Sequence, residues 1–371
     1  MMLKSNKNKV RYGIERDKAR FFHGRKEEIS RFKDLMVESK IKNVGSSFLV
    51  QGAPGIGKTA LLEECKKIAK KSKWTVVDIS IGTLMNEVDF FYRITKNKDS
   101  KAVIQSQEVN LGVWKASLTA KTREEINYVN EELVKSMPLL LVLDEAQILG
   151  IEGVVSTENK AKVVEFLKQY HNLQSKKGFI MLFGGLGMTK DVLQSFGLSR
   201  FNSEYTINLQ KLDKQAERNI IEDWIKKEAK AKGNPEYWVD KISTRTYQWP
   251  RHIISYCNAV HNQLLDTKEL SQESLNNVLK EGDELKKVYY EQRCAGLLIE
   301  DCEAIANTIK ILPEFFRKSE VIHFFTKEDS LLKPEELFQT CLSRGIFHLN
   351  NNRLFSIPIP SLKTWLIDEY S

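Results

Sequence analysis

The 371-residue chain is 29% charged and 42% hydrophobic, the balance of a globular protein with enough residues for two or three domains. No run reaches the apolar length of a membrane span and the N-terminus lacks an apolar signal segment, so a cytoplasmic protein with no membrane partner is expected. The five cysteines (Cys65, Cys257, Cys294, Cys302 and Cys341) are odd in number and none are spaced C-x-x-C, which argues against a disulfide framework or a zinc site and for buried thiols. The net charge of +8 is unevenly spread. Residues 1–20 hold seven Lys and Arg against two acids, whereas residues 297–371 hold eight against eleven. Any nucleic-acid footprint therefore belongs to the N-terminal arm and the body of the protein, not to its C-terminal end.

Residues 1–20 read as a basic arm. Phe22-His23-Gly24-Arg25 then forms a turn ahead of an amphipathic helix carrying Phe32, Leu35 and Met36. The apolar segment Ser46–Gln51 predicts a buried strand, and Gly52-Ala53-Pro54-Gly55-Ile56-Gly57-Lys58-Thr59 follows it. This octet fits G-x-x-x-x-G-K-[ST], and Ala60, Leu61, Leu62, Cys65, Ile68 and Ala69 continue it at helical spacing. Glycines let the backbone turn tightly and aim successive N–H groups at phosphate oxygens. Lys58 is placed to reach the β- and γ-phosphates, Thr59 to put its hydroxyl on Mg²⁺, and the helix N-terminus adds a favourable dipole. Lys66, Lys67, Lys70, Lys71 and Lys73 crowd the following helix, as a solvated face or as a phosphate-contacting surface.

A second strand is predicted at Trp74–Ile81, a helix at 86–95 and a hairpin from Gln107 to Leu118. Leu139-Leu140-Leu141-Val142-Leu143 reads as a strand buried on both faces, as in a parallel sheet, with Asp144 and Glu145 at its C-terminal end. Asp144 suits the Mg²⁺ shell, and Glu145 suits polarising an attacking water. Strands at Phe179–Phe183 and Tyr205–Leu209 complete a five-stranded sheet. Helices are expected at 214–231, beyond Pro250 and at 271–293. From 297 the pattern is helices at 300–311, 317–326 and 333–344, a hairpin turning at Asn350-Asn351-Asn352, and a closing helix from Pro360, which spells a winged helix-turn-helix. The helix that would enter a DNA groove, Lys333–Arg344, carries two bases and two acids, which favours packing against a partner or the chain's own lid over reading duplex DNA; Arg344 and Arg353 are the candidate duplex contacts.

These residues together resemble AAA+ ATPases, most closely the clade of origin-recognition initiators, and share an outline with signalling ATPases of the STAND type. The resemblance runs from Phe22 to the C-terminus. It implies an α/β P-loop NTPase domain at 21–210 with a parallel five-stranded sheet, a helical lid at 211–296 and a winged helix at 297–371. It implies ATP and Mg²⁺ as cofactors, with Gly52 to Ala60, Arg25 and Arg251 binding nucleotide, and Thr59 and Asp144 holding metal. Glu145 and Lys58 are then catalytic, Arg200 in Leu198-Ser199-Arg200-Phe201 is an arginine finger toward a neighbouring subunit, and Arg251 after Pro250 is the sensor-2 arginine. A cation at a helix start sits badly with the dipole unless an anion is near, which fits that role. The family's polar sensor at the end of the fourth strand is replaced by Gly184 and Gly185, with Thr189 the nearest substitute, and Gln248 stands where relatives often carry Gly. The implied activity is slow ATP hydrolysis that switches conformation or drives homo-oligomer assembly. The process is either DNA-associated (replication, transposition or mobile-element defence) or a signalling switch whose winged helix binds protein; a scaffold with little turnover is a further option.

Overall fold

The computed structural model describes residues 21–42, 46–79, 137–150, 160–161, 164, 167–168, 178–198, 201, 203–350 and 352–371. The expected basic arm, the helix at 86–95, the hairpin at 107–118 and Arg200 lie outside the described residues. The chain divides into two compact units, one of residues 26–51 and 61–208, the other of 1–25, 52–60 and 209–371.

The first unit holds the sheet. Its elements are α1 (Lys26–Ile41), β1 (Ser46–Gln51), α2 (Lys58–Lys71, whose first turn belongs to the other unit), β2 (Thr75–Ile79), β3 (Leu139–Leu143), β4 (Phe179–Gly185), α3 (Thr189–Ser195) and β5 (Thr206–Asn208). The strands run parallel in the order β2-β3-β4-β1-β5. All five residues of β3 and all seven of β4 are buried, the condition under which aliphatic runs rather than alternating patterns form strands. Leu49, Leu141, Met181 and Phe183 build the core on one face, and α1 closes on the sheet through Phe32, edge-on to Phe48 at 5.4 Å. The lysine-rich face of α2 is partly spent within the fold. Lys66 is 8% exposed and bonds Asp78 and Glu63, each at 2.5 Å.

The second unit contains the lid and the C-terminal domain. The lid comprises α4 (Lys214–Asp223), α5 (Glu236–Thr246), α6 (Pro250–Thr267) and α7 (Gln272–Cys294). Asp213 caps α4 by accepting from Ala216 N, and Ser271 caps α7 by accepting from Ser274 N. The helix expected over 214–231 changes character after Asp223, where a wider π turn, Trp224–Glu228, buries Trp224 and Ile225. Gln248 answers for the absent glycine by adopting φ +62°, with Tyr247 before it at +56°. The buried Glu217 carboxylate accepts from Gln248 N at 2.7 Å and from the Thr246 hydroxyl, holding this left-handed corner in place. α6 and α7 pack through Tyr256 against Gly282, where an added Cβ would stand 2.3 Å from the ring. His252 is wholly buried on α6, its Nε2 3.1 Å from the Tyr290 hydroxyl, which donates to Pro360 O at 2.7 Å.

The C-terminal part is α8 (Ile299–Ile311), α9 (Lys318–Phe325), α10 (Pro334–Ser343), β6 (His348–Leu349), β7 (Phe355–Ser356) and α11 (Leu362–Tyr370). It is the expected winged helix, with a shorter wing than its sequence suggested. Among the described residues His348–Ser356 and Leu349–Phe355 pair, Asn350 N donates to Leu354 O at 2.9 Å, and Phe316 adds a third edge by exchanging backbone hydrogen bonds with Phe355. Its core is aromatic: Phe316, Phe325, Phe338 and Phe347 are each at most 2% exposed. Among the described residues no helix is long and apolar enough to cross a membrane, and all five cysteines are free and buried.

Two stability measurements test this packing. Gly282→Ala should drive a methyl into Tyr256 and cost about 1–3 kcal/mol, read as a lower urea midpoint at unchanged m-value. Burial, aided by the Lys286 charge, pushes the His252 pKa from 6.5 down to about 3, so the folded protein keeps it neutral while the unfolded chain takes up a proton below 6.5. Its contribution is complete above pH 6.5 and is lost progressively toward pH 3, by about 2 kcal/mol at pH 5. Unfolding at pH 7 and pH 5 should show a smaller drop in His252→Gln than in the wild type.

Candidate functional site

The predicted site residues divide between the two units, and each group has a defined geometry of its own. In the unit that carries the lid, Gly52–Thr59 forms a loop whose Gly55 and Gly57 have φ of +72° and +94°. Both lie in the left-handed region that only glycine enters freely, and this bends successive N–H groups toward one centre. α2 starts at Lys58, so Thr59 and Ala60 occupy its first turn, where backbone N–H groups have no intrahelical acceptor. Lys58 is 6% exposed, and its ammonium donates to the Gly52 and Ala53 carbonyls at 3.2 and 3.0 Å. A buried ammonium beside the N–H groups of a helix start suits a phosphate group.

The lid grips this loop directly. Arg251 N donates to Gly55 O at 3.0 Å, giving an N-terminal N–H of α6 its acceptor. Tyr289 donates its hydroxyl to Pro54 O at 3.0 Å. A Cβ at Gly55 would lie 2.7 Å from both Arg251 Cβ and the Tyr289 hydroxyl, so the close approach depends on that glycine. Burial lowers the Arg251 pKa, as does the charge of Arg293, while Tyr289 opposes them. Arg25 takes φ +60° and its Nη2 donates to Ile56 O at 3.1 Å and Gln210 O at 2.6 Å. It thus braces the loop from behind through backbone carbonyls. From the winged helix, His348 at the wing is partly buried; burial and the Lys58 charge lower its pKa to about 4. Arg344, the candidate duplex contact, is already engaged: its Nη1 donates to the carbonyls of Ala295 and Arg293.

In the sheet unit, Asp144 and Glu145 follow β3. Asp144 Oδ1 accepts from Glu145 N at 2.9 Å, and Glu145 stands at φ +55°. The structure explains the two glycines that replace a polar sensor. A Cβ on Gly184 would lie 2.3 Å from Asp144 Oδ1, and one on Gly185 would lie 2.1 Å from Thr189 Oγ1 and 2.6 Å from Gln147 Oε1. The polar atoms at the end of β4 therefore come from neighbouring segments. Thr189, the substitute suggested by sequence, donates its hydroxyl to Leu186 O at 2.5 Å. Sequence reasoning missed Gln147, which is 3% exposed: its Nε2 donates to Glu145 Oε2, and its Oε1 accepts from Leu186 N at 3.1 Å. A polar residue two places beyond a pair of acids on a buried strand was the available signal. Among the described residues no group of three or more His, Cys, Asp and Glu side chains forms a ready-made metal site.

A family model described as "AAA ATPase domain" matches residues 22–175. No curated protein sequence matches the chain. Among solved structures, the ORC2 protein of Aeropyrum pernix in ADPNP–ADP complexes is similar with a TM-score of 0.55 at 13% identity, over 93% of this chain and 92% of that one. Its ADP form gives the same TM-score at 14% identity, over 96% and 95%. The five parallel strands in the order 2-3-4-1-5, the helical lid and the C-terminal hairpin domain agree with that likeness. Residues 22–175 are thus similar to the AAA ATPase domain, and the fold of the chain is that of the ORC2 structures.

Proposed function

We propose that the chain binds ATP with Mg²⁺ and hydrolyses it slowly, using the nucleotide state to switch conformation or assembly. The observation that carries this reading is the phosphate loop itself: two left-handed glycines, a buried lysine drawn onto loop carbonyls, and a helix start immediately after. Gly52 to Ala60 cradle the phosphates and Lys58 neutralises the β- and γ-oxygens. Thr59 and Asp144 are the residues that would hold the magnesium ion, which supplies charge neutralisation on the phosphates. Glu145 accepts the proton of the attacking water, and Gln147 fixes the orientation of its carboxylate. Arg251 reads the γ-phosphate from the lid, Arg25 keeps the loop in register, and Arg200 serves a neighbouring copy in a nucleotide-dependent homo-oligomer.

For the biological process we propose a DNA-associated one, in keeping with the basic arm and with a fold shared with an origin-recognition protein solved with adenine nucleotides. A second reading has an observation of its own. The winged helix is net acidic and Arg344 is tied to α7 carbonyls, which favours a protein partner for that domain and a signalling switch.

Lys58→Ala should abolish ATP binding in equilibrium titration; retained micromolar affinity would refute the loop assignment. Glu145→Gln should keep that affinity while turnover falls by about a hundredfold or more, and Gln147→Ala should lower kcat about tenfold at unchanged KM. Normal turnover in either variant would remove that residue from the mechanism. Gel shifts with non-specific duplex DNA, with and without ATP across a salt series, separate the two processes: steeply salt-dependent binding supports the first, and no shift at low salt supports the second.

A further inference from the structure

The phosphate loop is flanked by more positive charge than its sequence motifs account for. Arg293 lies in the last turn of α7, one helical turn beyond Tyr289, whose hydroxyl bonds the loop at Pro54 O. The guanidinium carbon of Arg293 is 5.0 Å from the centre of the Tyr289 ring, and that of Arg251 is 5.5 Å from the same centre. The aromatic face suits each cation, but the two cations repel one another in a partly dry site. The C-terminal end of α7 offsets some of that cost, as does Arg344 O, which accepts from Arg293 Nη1 at 3.1 Å. Arg293 Nε is buried with no hydrogen-bond partner among the described residues. Among the described residues, Arg293 meets no carboxylate, so its charge is balanced by the Tyr289 ring and the Arg344 carbonyl.

We propose that Arg293 is a second anion-binding arginine of the phosphate loop, joining Arg251 in holding the terminal phosphates of a bound nucleoside triphosphate. This rests on the reading of the loop as a nucleotide site and adds a ligand group that no motif in the sequence marks. A guanidinium presents a planar fork that bonds two phosphate oxygens at once, which a lysine at the same place cannot reproduce. Two such groups respond to the charge of the anion, so their effect is larger for a triphosphate than for a diphosphate.

The test compares ATP and ADP binding to the full chain, and its melting temperature without nucleotide, in the wild type, Arg293→Gln, Arg293→Lys and Lys58→Ala. Arg293→Gln is expected to weaken ATP about tenfold and ADP by less than about threefold, and Arg293→Lys to recover part of the loss. The nucleotide-free melting temperature of Arg293→Gln is expected to hold or rise, because repulsion from Arg251 is relieved. A lower melting temperature with an unchanged ATP-to-ADP ratio would make Arg293 a strut between α7 and the turn at Arg344, and would overturn the proposal. If Arg293→Gln does not fold, the ratio in Arg293→Lys decides: a clear reduction supports the proposal and an unchanged value overturns it. A wild-type chain that binds nucleotide no better than Lys58→Ala defeats the loop reading, and this proposal with it. That result is distinguishable from an Arg293-specific failure, in which the wild type binds well.

Discussion

The carbonyls of Pro54 and Gly55 are held by two donors from the lid, the Tyr289 hydroxyl and the backbone N–H of Arg251. Each bond answers a local need. A helix start leaves N–H groups without acceptors, and the loop carbonyls need donors. The loop backbone thus offers acceptors to the lid. Since Arg251 and Arg293 both lie against the ring of Tyr289, where that tyrosine docks decides where both cations lie. A side chain at position 55 would separate loop from lid, so one glycine serves phosphate geometry and lid geometry together.

The strong motifs were legible because their chemistry is local. Gly52–Thr59 and the aliphatic run of β3 each specify a conformation within a few residues. Periodicity placed α7 through α10 within a residue or so, but it missed α5 (Glu236–Thr246) and ran α4 on past Asp223. What sequence could not convey was long-range occupancy. Gly184 and Gly185 looked like the loss of a polar sensor; the space is filled by Thr189, the substitute the sequence offered, and by Asp144 and Gln147 from the segment after β3, which it did not. Gln248 looked like the loss of a glycine, yet it takes the glycine conformation because Glu217, far back on α4, receives its N–H. The lysines of α2 gave no hint of which would be consumed internally; Lys66 is, by an aspartate on the next strand.

Charge distribution separates the functional readings more sharply than fold does. An arginine whose donors are spent on the carbonyls of a helix end has less to offer a phosphate backbone, and Arg344 is such a residue. The exchange is reciprocal, with Arg293 donating to the carbonyl of Arg344 while the side chain of Arg344 reaches that of Arg293. This pair welds the last lid helix to the end of α10. It follows that any ligand drawing Arg293 toward the loop acts on the seat of the winged helix.

Gly345, directly after that weld, has φ +70°, and a Cβ there would fall 1.9 Å from Pro54 Cγ. The ring of the loop proline therefore occupies the volume that any other amino acid at 345 would need. Two positions remote in the chain share one allotment of space, so a larger residue at 345 needs a smaller one at 54 or a displaced wing. In an alignment of relatives, that covariation would mark which members keep the wing pressed to the phosphate loop.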